Sequence, residues 1–135
     1  MPDPDRRIYH LAPRERWQRS ADTGEAYFPP TYEVDGFIHA TARPALLLEV
    51  ANHFYRDAVG AFVCLESTVE AVEQSGTRVV YEAPAPVGNQ PADFDTRGET
   101  EFPHLYGGLV PSAVTAVHAV NRSRDGTFTG IDGVV

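Results

Sequence analysis

The chain has 135 residues, a net charge of −8 and 42% hydrophobic residues, which fits one globular domain able to bury its own core. No run approaches the roughly 18 apolar residues of a membrane span, and the polar start Met1-Pro2-Asp3-Pro4-Asp5-Arg6-Arg7 lacks a secretory apolar stretch, so a cytoplasmic protein without a membrane partner is expected. The acidic balance disfavours a nucleic acid as partner, and because all 11 basic side chains are arginine a lysine Schiff base and a P-loop are excluded.

Residues 6–11 predict a first strand, followed by a helix over 14–21 with Pro13 at its start, Trp17 and Ala21 on one face and Gly24 as the stop. Phe28-Pro29-Pro30 precludes a regular helix there, so 25–35 reads as a loop with aromatic anchors. Residues 36–40 predict a short strand, and Thr41 an N-cap for a helix over 43–57 with Leu47, Ala51 and Phe54 in one stripe. Ala61-Phe62-Val63-Cys64-Leu65 reads as a buried strand. Its cysteine, Cys64, is the only one, so an internal disulfide is excluded and a core role expected. A helical turn over 69–74 and a strand over 77–82 come next. The proline- and glycine-rich stretch 83–101 reads as a long loop, a feature often tied to function. Strands over 114–120 and 128–131 close the chain. This order predicts a single α+β domain over 1–135, with helices mostly in the N-terminal half and a core of about 7–120 between a short N-terminal tail and a C-terminal extension.

Chemistry concentrates at three histidines in apolar settings: Ile8-Tyr9-His10-Leu11, Gly36-Phe37-Ile38-His39-Ala40-Thr41 and Phe102-Pro103-His104-Leu105-Tyr106-Gly107. A titratable ring among apolar neighbours needs a hydrogen bond, a metal or a ligand. His10 and His39 lie on expected strands, and His104 is expected where the backbone turns. His53 reads as a helix flank and His118 as strand scaffold. Glu82, at a strand end, and Glu101, just before Phe102, are candidate acids facing the same cleft. A zinc site of three histidines is a further reading, but separations of 29 and 65 residues carry no metal signature, so no metal is expected. The chain lacks a G-x-S-x-G elbow and a G-x-G-x-x-G dinucleotide loop.

Taken together, Ile8-Tyr9-His10-Leu11-Ala12, Trp17, the G-F-I-H segment at Gly36–His39 and the F-P-H-L-Y-G segment at Phe102–Gly107 resemble the uncharacterised bacterial family DUF952, from about Arg7 to Val120. The chain departs from the family pattern in Ala40-Thr41, where a Cys-Ser pair is commoner, and in Gly108-Leu109, where Pro-Leu is commoner. The stretch 83–100 also looks longer than usual. The family is grouped by similarity with the ADP-ribosyltransferase-like fold, a split β-sheet domain that cradles NAD without a Rossmann motif.

That resemblance implies NAD as substrate and a small-molecule nucleotide site, with His10, Phe37, His39 and Tyr106 binding the ligand and His39, His104 and Glu82 serving catalysis. By carry-over His10 fixes the nicotinamide-side ribose, and His39 and Phe37 hold the nicotinamide. At the third position the grouping more often shows a glutamate, and here His104 stands instead. This pattern is nearer the histidine-rich branch that includes RNA 2′-phosphotransferases, although the net charge of −8 argues against an RNA substrate. Two classes stay open: an NAD-dependent ADP-ribosyl (glycosyl) transferase, and a non-catalytic small-ligand or nucleotide-binding domain. The oligomeric state stays open too.

Overall fold

Strand β1 (Arg7–Pro13) is buried almost throughout, because both of its faces are covered. The computed structural model describes residues 6–135. Ile8 and Ala12 enter one core with Trp17, Tyr27, Ile38, Val63, Leu65 and Leu105. Tyr9 and Leu11, on the opposite face, enter a second core with Leu47, Ala51, Phe62, Cys64, Phe128 and Ile131. The period-2 alternation of a strand divides these side chains between the two cores.

The remaining elements are α1 (Arg14–Thr23), α2 (Tyr32–Asp35), β2 (Ile38–His39), α3 (Leu47–Phe54), β3 (Phe62–Thr68), α4 (Val69–Gln74), β4 (Arg78–Glu82), β5 (Phe102–Tyr106), β6 (Val114–Arg122) and β7 (Phe128–Ile131). They build a mixed α+β domain of two antiparallel sheets, ordered β1-β3-β6-β7 and β2-β5-β4. A backbone bridge joins the sheets: Tyr9 N–H donates to the Thr41 carbonyl at 2.9 Å, and Thr41 N–H donates back at 2.8 Å. Among the described residues no helix is long and apolar enough to cross a membrane.

Several expectations are corrected. Helix α3 spans only 47–54, preceded by a 3₁₀ turn at Pro44–Leu46, so the expected 43–57 helix is shortened at both ends. Thr41 caps no helix, because its backbone is spent on the bridge to Tyr9. In α1 Trp17 shares the buried face with Ser20, while Ala21 is exposed. The loop 25–35 ends in the helical turn α2, which starts once the chain is past Pro30. The C-terminal residues are part of the core: β7 pairs with β6 and buries Phe128 and Ile131. Asn52 of α3 clamps β7, its Nδ2 donating to the Phe128 carbonyl at 3.0 Å and its Oδ1 accepting from Phe128 N–H at 2.7 Å.

His104 lies in the middle of β5, the central strand of its sheet, and not at a turn. Pro103 is tolerated beside it because of where its missing donor points. Ala40 N–H donates to the Pro103 carbonyl at 3.0 Å, so the proline nitrogen faces the same side, where the β2 ladder stops. No N–H is available to return the bond, which is why β2 pairs over only two residues.

Candidate functional site

The register of β2 on β5 sets Ile38 opposite Leu105 and His39 opposite His104. The Ala40-to-Pro103 bond on one side makes His39/His104 a non-hydrogen-bonded pair, the kind in which opposed side chains approach most closely. Their rings meet edge to face with centroids 5.5 Å apart. Ile38 and Leu105 point to the other face and anchor the strands in the first core.

A carboxylate holds each imidazole at one nitrogen. His104 Nδ1–H donates to Glu82 Oε1 at 2.8 Å, and the Tyr106 hydroxyl donates to the same oxygen at 2.5 Å. His39 Nε2–H donates to Asp35 Oδ2 at 3.0 Å. A carboxylate can only accept here, so the tautomers follow: lone pairs remain on His104 Nε2 and His39 Nδ1. Neither nitrogen has a partner among the described residues, and no buried polar side-chain atom there is left unpaired. Neither free nitrogen is fully buried, and both rings line one cavity.

That cavity measures about 30 Å³. It is lined by His39, Thr41, Phe102 and His104, by Val50, Phe54 and Tyr55, and by Pro84, Ala85, Val87 and Phe94 of the 83–101 segment. Space of this size admits one or two water molecules.

Burial sets the electrostatics. It lowers the pKa of His39 and of His104, and the Asp35 and Glu82 carboxylates partly restore each. Glu82 is held below the usual carboxylate range, first by the Tyr106 hydroxyl and then by His104. The Tyr55 hydroxyl, on the cavity wall, is pushed well up by burial.

Among the sequence-derived candidates, His104 contacts both His39 and Glu82. Phe37 stacks on the His104 ring at 4.2 Å and leans on His39 at 4.6 Å and Tyr106 at 5.4 Å. Phe37, Tyr106 and Glu82 thus flank the imidazoles without lining the cavity. His10 does not join them. Strand alternation turns it with Ile8 and Ala12 toward the first core, and both ring nitrogens are engaged. Nδ1–H donates to the His39 carbonyl at 2.6 Å, and Nε2 accepts from the Tyr27 hydroxyl at 2.9 Å. Burial pushes its pKa down to about 4. A three-histidine cluster is therefore not formed, and no group of three or more His, Cys, Asp or Glu able to hold a metal occurs among the described residues. Glu101 is exposed and stands outside the site. His118 instead pairs with Glu66 at 2.8 Å, and His53 with Asp93 at 3.1 Å.

Sequence reasoning missed Asp35. Asp35 ends α2, and the left-handed Gly36 that follows turns the chain into β2, which brings the carboxylate onto the His39 ring.

Fold and site define a small α+β domain with a pair of carboxylate-tethered imidazoles over an aromatic cavity. The chain belongs to the DUF952 family of proteins of unknown function, whose model matches residues 11–117. It is similar to protein CC0527 from Caulobacter crescentus. The crystal structure of that protein is 26% identical, with a TM-score of 0.67 over 91% of this chain and 93% of that one. Its solution structure is 27% identical, with a TM-score of 0.61 over 89% of each chain. No curated protein matches the chain.

Proposed function

We propose that this protein is an acid–base catalyst that cleaves or substitutes an NAD-type nucleotide at the ribose carbon bearing nicotinamide. One observation carries the reading. Two opposed imidazoles, each tethered by a carboxylate at one nitrogen and free at the other, line a common cavity. This is the general-base arrangement in which a carboxylate fixes the tautomer and stabilises the imidazolium. The ligand class rests on the resemblance to the ADP-ribosyltransferase-like grouping, and the aromatic walls Phe54, Phe94 and Phe102 suit a flat ring.

In this reading the C1″–nitrogen bond breaks and both its electrons pass to the nicotinamide ring, neutralising the pyridinium charge. C1″ gains a bond to the oxygen of water or of an acceptor hydroxyl. That oxygen's proton passes to His104 Nε2, while Glu82 stabilises the imidazolium through Nδ1–H. His39 Nδ1 accepts a hydrogen bond from the substrate's amide or hydroxyl. Phe37 and Tyr106 hold the imidazole pair from its other flank. His10 supports the site indirectly by tying down the His39 carbonyl. A cavity of about 30 Å³ cannot hold a nicotinamide ring, so binding requires 83–101 to move aside.

A non-catalytic nucleotide-binding role has one observation in its favour: among the described residues no carboxylate lines the cavity. Calorimetric titration of NAD into wild type and His39→Ala separates the readings. Heat of binding that is lost in the variant and accompanied by nicotinamide in the wild-type mixture supports the enzyme. Binding without nicotinamide supports the module, and no binding to wild type removes both.

A further inference from the structure

Asp35 does more than touch His39. Its side chain is only 5% exposed, and besides the His39 bond it accepts from the backbone N–H of Gly88 at 3.1 Å and 3.2 Å. Gly88 belongs to the segment that roofs the cavity. It sits in a tight turn closed by reciprocal Val87/Gln90 backbone bonds of 3.0 Å and 2.9 Å. Its φ of +58° is a conformation that side chains disfavour, and a Cβ there would stand 3.2 Å from Thr31 Cγ2. Val87, one residue earlier, is buried on the cavity.

Elsewhere the segment packs Phe94 against Phe54 and Phe102 at 5.6 Å and 5.9 Å and makes exposed polar contacts to α3 and to the residues before it. His53 bonds the Pro91 carbonyl at 2.6 Å, Arg97 reaches Glu49 at 3.3 Å, and Arg43 reaches Glu99 at 3.2 Å. Such contacts are individually weak. Of the polar contacts, the part-buried Gly88–Asp35 one ends on the same carboxylate that fixes the His39 tautomer.

We infer that Asp35 is a positioning residue that couples closure of the 83–101 segment to the hydrogen-bonding state of His39. The inference rests on the proposed role of His39 and deepens it. With the segment closed, the carboxylate is pinned by Gly88 and presents Oδ2 to His39 Nε2–H, leaving Nδ1 as the free lone pair. With the segment lifted, the carboxylate loses that anchor and the ring loses its fixed orientation. The titratable groups beside His39 are Asp35 on α2, His104 on β5 and His10 on β1, and Tyr55 lines the same cavity. Of these Asp35 alone also holds the roof.

The test uses the full chain without nucleotide, so it does not depend on turnover. Histidine side-chain ¹⁵N NMR reports the His39 tautomer and titration, and amide exchange reports Gly88. In Asp35→Ala, which removes the acceptor, the Gly88 amide is expected to exchange about tenfold faster or more. The His39 Nε2–H signature is expected to be lost and its midpoint to fall, with the His104 titration kept. Gly88→Ala strains the turn while leaving Asp35 intact, and is expected to disturb the His39 tautomer as well. Protection of the Cys64 thiol checks that each variant is folded. A faster residue-88 amide with an unchanged His39 in Gly88→Ala, or an Asp35→Ala variant that alters neither, overturns the coupling. These results leave the nucleotide reading untouched. Failure of that reading would show instead as absent NAD binding.

Discussion

His39 and His104 stand directly opposite each other across β2 and β5, their ring centroids 5.5 Å apart, with a carboxylate behind each ring. The spacing comes from the backbone register and not from a loop, so the pair is held by two ladders and by the core under Ile38 and Leu105. Sites carried on strands are geometrically stiffer than sites on loops. Loss of either imidazole is therefore expected to remove chemistry while leaving the fold. In the proposed reaction His104→Ala lowers turnover by about 10²–10⁴-fold, the range of one general base. The double variant His39→Ala/His104→Ala is expected to be hardly slower than the worse single, because the two act as a unit. Initial rates on the three proteins check this.

Glu82 acts on His104, and Tyr106 acts on Glu82. The Glu82 carboxylate raises the His104 pKa against the larger lowering by burial. Glu82→Gln is accordingly expected to move the His104 titration further down. Tyr106→Phe removes the bond that most lowers the Glu82 pKa, so Glu82 is expected to titrate higher. Side-chain NMR titrations of the three proteins measure both shifts.

His10 makes a separate, structural prediction. Its pKa falls from 6.5 to about 4 because it is buried as the neutral ring. Above pH 6.5 both folded and unfolded chains hold it neutral, so its contribution is fully present. Between 6.5 and 4 only the unfolded chain takes the proton, and stability falls with pH. The expected loss is about 3 kcal/mol over the interval from 6.5 to 4. The lowered pKa values of His39 and His104 act in the same direction. His10→Ala leaves the His39 carbonyl and the Tyr27 hydroxyl without their partner at a cost of about 3 kcal/mol. It also flattens this acid limb. Urea unfolding between pH 4 and 8 reads both effects.

Cys64 provides a probe of the whole fold. The thiol is buried in the second core, and burial pushes its pKa up to about 12. It is expected to resist thiol reagents at pH 8 and to react only as fast as the domain opens. Quick labelling of the native protein would contradict the packing around β3.

Much of this was legible in the sequence, for physical reasons that differ by residue. The alternation around His10 and Ile8 and the apolar run through Cys64 identified β1 and β3 because period and burial leave direct marks on residue type. The face that His10 occupies was legible too. Whether that face was cleft or core depended on Tyr27, 17 residues away. Pro103 and Gly107 disguised β5 as a turn, because the proline's tolerance depends on where β2 ends, which is a tertiary fact. Asp35 stayed hidden for a similar reason. Its partner Gly88 is 53 residues away, and the four-residue helix that aims it has too few positions to show a period. The shortened α3 reflects packing as well: its apolar stripe extends past Phe54, but Asn52 and β7 fix where the helix is held.

The most direct measurement of the central claim is nicotinamide release from NAD, followed by proton NMR with wild type, His39→Ala and His104→Ala, each shown folded by protection of Cys64. The expected result is release by wild type that falls about 10²-fold or more in His104→Ala. Release that is absent in wild type, or unchanged when either imidazole is removed, would contradict the proposed role of the His39/His104 pair.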